Sequence, residues 1–76
     1  MGMVVSSTQI KNALAAQVKQ RRVALGVSQE AFAAKVGIDR TYASKIERGI
    51  GNPSLEVLCL LAEALNCKIS DLFADN

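Results

Sequence analysis

Five polar side chains between residues 40 and 48 share a spacing that fits them to one chemical task. Arg40, Thr41, Ser44, Lys45 and Arg48, set about 100° apart as on an α-helix, fall within an arc of roughly 140°, while Ala43 and Ile46 point the other way. Arg and Lys can bond guanine O6 and N7 in the major groove, Thr offers a hydroxyl and a methyl, and all can reach phosphate oxygens. These residue types suit recognition of DNA. Catalysis has little to work with. The chain has no histidine, no glycine-rich phosphate loop after a strand pattern and no carboxylate cluster at metal-ligand spacing. No nucleophile, general base, metal site or cofactor is therefore expected, and Glu30, Glu56 and Glu63 read as helix-surface charges.

A polar outer face is also what any solvated amphipathic helix shows, and periodicity alone favours that plainer reading. The neighbouring elements shift the balance. Ser28 is a good N-cap, and Phe32, Ala33 and Val36 give one apolar side of a short helix from Gln29 to Val36. Gly37 suits the left-handed residue that ends such a helix, and Asp39 is a second N-cap two residues on. The second helix then runs from about Arg40 to Arg48 and stops at Gly49. Two short capped helices joined by a very short turn, with a small Ala33, an apolar Ile38 and an inward Ile46, describe a helix-turn-helix over residues 28–49.

Seventy-six residues make a single domain whose core is marginal alone. The core is expected to be aliphatic and alanine-rich, because the only aromatic residues are Phe32, Tyr42 and Phe73. With no alternating strand pattern, an all-α domain of about five helices follows. The net charge of +2 is small, but eight basic residues face three acidic ones between Lys11 and Arg48, whereas Gly49 to Asn76 holds one basic and four acidic residues. Such an asymmetry steers the front half toward a polyanion. MGMVVSS resembles no signal peptide and no apolar run is long enough to span a membrane, so a cytoplasmic protein with residues 1–6 as a flexible lead is expected.

Ser6 and Gln9 form a capping box for a scaffold helix whose apolar side is Ile10, Leu14, Val18 and Leu25, ending near Gly26. Its Lys19, Arg21 and Arg22 fit either a solvated face or a DNA backbone contact. Gly51 and Asn52 suit close approach to a phosphate, although Asn52 fits equally as a cap before Pro53, and Ser54 is another N-cap candidate. The helix from Leu55 to Leu65 is apolar nearly all round, more than one small domain can bury, and Ser70 is read as capping a last short helix. This excess predicts a homodimer that covers the second apolar face across about residues 54–76. A twofold dimer would set two reading helices one DNA turn, about 34 Å, apart. Cys59 and Cys67 read as free, small apolar side chains.

SQEAFAAKVGIDRTYASKIERG, followed by NPSLEVLCLLAEAL and ISDLF, resembles the helix-turn-helix family of phage repressors and Cro proteins. Within it, the chain is most similar to the controller proteins of restriction-modification systems. The resemblance covers Gln9 to Phe73. It implies a compact lambda-repressor-like domain and a transcriptional regulator that binds an operator as a homodimer, with RNA polymerase a candidate further partner and no small-molecule effector. Base-edge contacts fall on Arg40, Thr41 and Lys45; phosphate contacts fall on Gln29, Tyr42, Ser44, Arg48 and Asn52. The family pattern also pairs Arg22 with Glu47 and places the dimer interface on the last helices, here at Leu55, Leu58, Leu72 and Phe73. Two other readings share the fold, an antitoxin and a protein-interaction module without DNA; the short tail after Phe73 argues against the first, and Arg40, Lys45 and Arg48 against the second.

Overall fold

A computed structural model of the chain describes residues 6–74, which are helical and turn, with no strand among them. The helices are α1 (Ser7–Ala24), α2 (Gln29–Val36), α3 (Arg40–Glu47) and α4 (Leu55–Ala64), followed by a 3₁₀ helix over Ile69–Phe73. The fold class is the expected one, with the fifth helix reduced to a 3₁₀ turn. The flexible lead expected over residues 1–6 lies, for 1–5, outside the described residues. Ser6 is tied down instead: its Oγ accepts from Gln9 N at 3.1 Å, and its own N–H donates to Gln9 Oε1 at 2.9 Å.

Leu14, Val18, Phe32, Val36, Ile46, Leu61, Ala62, Leu65 and Leu72 form one buried cluster to which every helix contributes. Each large side chain in it contributes roughly 1.5–3 kcal/mol by leaving water. α1 buries Leu14, Ala15, Gln17 and Val18. Ile10 and Leu25, expected on that face, are exposed, being in the first turn of the helix and beyond its last residue, where neighbours cover them only in part. Gln17 Nε2 donates to the Ala74 carbonyl at 3.0 Å and Gln17 Oε1 accepts from Arg21 Nε at 3.1 Å, which ties the end of the described chain to the middle of α1.

The last helix is not capped by Ser70. Ser70 lies inside it, and Asp71 Oδ2 instead accepts from the Lys68 N–H at 2.9 Å. Ser54 does cap α4, accepting from Val57 N at 3.2 Å. α4 buries Leu61 and Ala62, leaves Val57 and Leu58 half-buried, and exposes Leu55 and Leu60 to solvent. Leu72, expected at a subunit interface, is 0% exposed. Its side chain is spent in the chain's own core, which needs a large residue beneath the short 3₁₀ turn, so it has no surface to give a partner.

Candidate nucleic-acid interface

α2 and α3 are joined by Gly37, Ile38 and Asp39. The Ser28 hydroxyl caps α2 by accepting from Ala31 N at 3.1 Å, and Gly37 closes it at φ 87°, with the Gly37 and Ile38 N–H groups donating to the Ala33 carbonyl. The Asp39 carboxylate accepts from Thr41 N at 2.8 Å, so α3 begins at Arg40. α2 sinks Phe32, Ala33 and Val36 into the core and α3 sinks Ala43 and Ile46. Burial of those apolar backs turns the polar side of α3 outward.

That polar side is a built surface. Gln29, Arg40, Thr41 and Ser44 line one shallow depression where the start of α2 meets the start of α3. Arg40, Thr41, Lys45 and Arg48 are exposed, whereas Ser44 is half-buried. Tyr42 is half-buried and packs against the core cluster. Asn52 is exposed and lines a different groove, with Ile10, Pro53, Leu58 and Phe73.

Beneath this surface lies the bridge between Arg22 and Glu47. Arg22 Nε donates to Glu47 Oε2 at 2.7 Å and Nη2 to Glu47 Oε1 at 3.0 Å, a two-bond fork, while Nη1 donates to the Val27 carbonyl at 2.8 Å. Their side chains are only 13% and 4% exposed. The hydrogen bond to Glu47 raises the Arg22 pKa above its ordinary value; burial opposes this and the attraction of the carboxylate adds to it. The bridge fixes the last residue of α3 to α1, and Glu47 Oε1 also accepts from Gln29 Nε2 at 3.4 Å. One buried carboxylate thus holds together α1, α3 and a residue of the depression.

Two features had no spacing signal. Glu30, read as a surface charge, stands 3.9 Å from Arg40 across the interhelical turn; the two are ten residues apart on different helices, beyond any periodicity rule. Gly51, read as a phosphate-approach glycine, is buried: a Cβ there would lie 3.0 Å from Ile46 N, and its own N–H donates to the Lys45 carbonyl at 3.0 Å. Its bareness serves the end of α3.

The Helix-turn-helix family model matches residues 18–72, which takes in α2, α3 and most of the core behind them. The chain belongs to the helix-turn-helix family. Among its relatives are the control protein C.MunI of Mycoplasma sp, 44% identical over 57 residues covering 75% of this chain and 77% of that protein, and the control protein C.SmaI of Serratia marcescens, 40% identical over 63 residues covering 83% and 75%. The crystal structure of the restriction-modification controller protein C.AhdI from Aeromonas hydrophila has a TM-score of 0.78 to this fold at 36% identity, covering 83% of this chain and 96% of that one. As expected from the sequence, this helix-turn-helix chain is similar to the controller proteins and is a DNA-binding regulator of transcription. No helix among the described residues is long and apolar enough to cross a membrane.

Proposed function

We propose that this helix-turn-helix regulator binds an operator of twofold character as a homodimer and serves as the control protein of a restriction-modification system. The observation that carries it is the depression formed by Gln29, Arg40, Thr41 and Ser44, set on a helix whose far end is clamped by the buried Arg22 and Glu47 fork. A fixed helix presenting rotatable donors is what base reading needs, since the register is set by the scaffold and the bonds by the tips. In this reading Arg40, Thr41 and Lys45 meet base edges, while Gln29, Ser44 and Arg48 hold phosphates; Gln29 stands at the start of α2, where the N–H groups of the helix N-terminus favour an anion. Tyr42 and Asn52 take lesser backbone roles at the margins.

The exposed Leu55 and the groove beside Leu58 and Phe73 supply the apolar surface for a second copy. The protein works in the cytoplasm, with RNA polymerase as a further partner and without a small-molecule effector. A binding titration on the DNA upstream of its own gene tests this. Preference for that duplex over a random one, with one dimer per site, is expected; equal affinity for both would sink the reading. The relatives named control proteins support the restriction-modification assignment, and an endonuclease and a methyltransferase encoded alongside would bear it out, whereas a toxin gene there would favour the antitoxin.

A further inference from the structure

We infer that the groove between α1 and the start of α4 receives the partner's Leu55 in the homodimer, and that Lys11 at its wall pairs with the partner's Glu56. The inference rests on the proposed homodimer. Ile10, Lys11 and Leu14 of α1 line the groove together with Pro53, Leu58 and Phe73. Its volume is about 160 Å³. A dry apolar cavity of about 150 Å³ holds a benzene molecule, and the isobutyl group of a leucine is of similar bulk.

The side chain that fits the groove stands next to it. Leu55 is the first residue of α4 and is 70% exposed. It lies three residues before Leu58, hence on the same side of the helix as a residue of the groove wall. A twofold contact uses one patch twice, so that residue i of each copy meets residue j of the other. A patch that carries both an open apolar groove and a projecting leucine is self-complementary in that sense. A second copy fills the groove and covers Leu55 in one step, twice over.

Charge points to the same occupant. Lys11 is half-buried at the groove, and Glu56 follows Leu55 in the first turn of α4, exposed. The ion pairs among the described residues are Arg22 with Glu47 and Arg40 with Glu30, so Lys11 and Glu56 each enter the interface without an ionic partner of their own. Seating the partner's Leu55 carries the next residue, the partner's Glu56, to the groove wall, where the long stem of Lys11 can follow it. The leucine supplies apolar burial, while the two symmetry-related ion pairs fix orientation and choice of partner.

The test is charge exchange read by sedimentation equilibrium at low salt without DNA, with unchanged far-UV circular dichroism as the folding check. Lys11→Glu and Glu56→Lys each break both pairs, and each should raise the dimer dissociation constant by at least about 2- to 30-fold. The double variant should dimerise like the wild type. An equimolar mixture of the two single variants should form a heterodimer, because its pairs are again opposite in sign; a pair within one chain would be restored in the double variant but not in the mixture. These differences should shrink at high salt. Ile10→Gln, at the groove wall on α1, should also weaken the dimer. Single variants that dimerise normally, a mixture that stays monomeric, or an Ile10→Gln dimer of wild-type affinity would overturn the inference, the last by giving the groove another occupant. If the wild-type chain is itself a monomer at micromolar concentration, the proposed homodimer fails; if it is a dimer indifferent to these changes, only this interface fails.

Discussion

Arg22 and Glu47 are the buried ion pair that ties the end of α3 to α1. Glu47→Ala strands a guanidinium that is 13% exposed; a cost of about 3–5 kcal/mol in urea unfolding is expected, and much less if Arg22→Met is combined with Glu47→Leu. The raised Arg22 pKa means that its share of stability is fully present below the ordinary guanidinium value and is lost only as pH climbs through the higher folded one. Stability between neutral and mildly alkaline pH should therefore show no step from Arg22. At the surface, Arg40→Ala should lose about 1–3 kcal/mol on the operator and little on random DNA, and an equal loss on both would make it a phosphate contact. Cys67 packs against the core, and burial pushes its thiol up, with Arg21 lowering it and Asp71 raising it again, whereas Cys59 is exposed. Alkylation at mildly alkaline pH should mark Cys59 first by mass spectrometry; faster modification of Cys67 would show that its site opens. At this scale the sequence carried the outward arc of α3, because helical spacing alone sets which side chains share a face. The fork between Arg22 and Glu47 came through resemblance to a family, since twenty-five residues separate the partners and no local rule connects them.

Two glycines separate two ways in which the elements around α3 are held. Gly37 has φ 87° and open space around it, so Gly37→Ala costs only the left-handed conformation, about 1–2 kcal/mol. Gly51 has an ordinary φ but no room, because Ile46 N would sit 3.0 Å from the new Cβ. Gly51→Ala should destabilise by about 1–3 kcal/mol through overpacking and, by shifting the end of α3, weaken DNA binding beyond the loss of stability. Chemical denaturation of the two variants, paired with operator titrations, checks this: Gly37→Ala should bind normally once folded. Capping chemistry was legible for α1, α2, α3 and α4 because Ser6, Ser28, Asp39 and Ser54 each precede an apolar-periodic segment. It misled at the last helix. Ser70 has the right type, but the chain turns two residues earlier, at Lys68, where the longer reach of Asp71 supplies the acceptor.

Across the whole molecule, the surplus of apolar residues in α4 was visible in composition, but its division between core and surface was not. Leu72 and Phe73 are adjacent in sequence, yet the first is sealed in the core and the second is half-buried at a groove; the packing of the 3₁₀ turn against α1 and α4 distinguishes them. Leu55 is 70% exposed, so Leu55→Glu should leave the fold intact and shift sedimentation at micromolar concentration from dimer toward monomer, with operator affinity falling in step. A variant that stays dimeric would move the interface elsewhere. The basic front and acidic back of the chain agree at long range with the proposal that DNA is met by α2 and α3. Hydroxyl-radical footprinting on the DNA upstream of the chain's own gene tests the central claim most directly. Two protected half-sites about 34 Å apart, both lost with Arg40→Ala, are the expected result; protection without that spacing, or protection that survives Arg40→Ala unchanged, would contradict a dimer reading bases through α3.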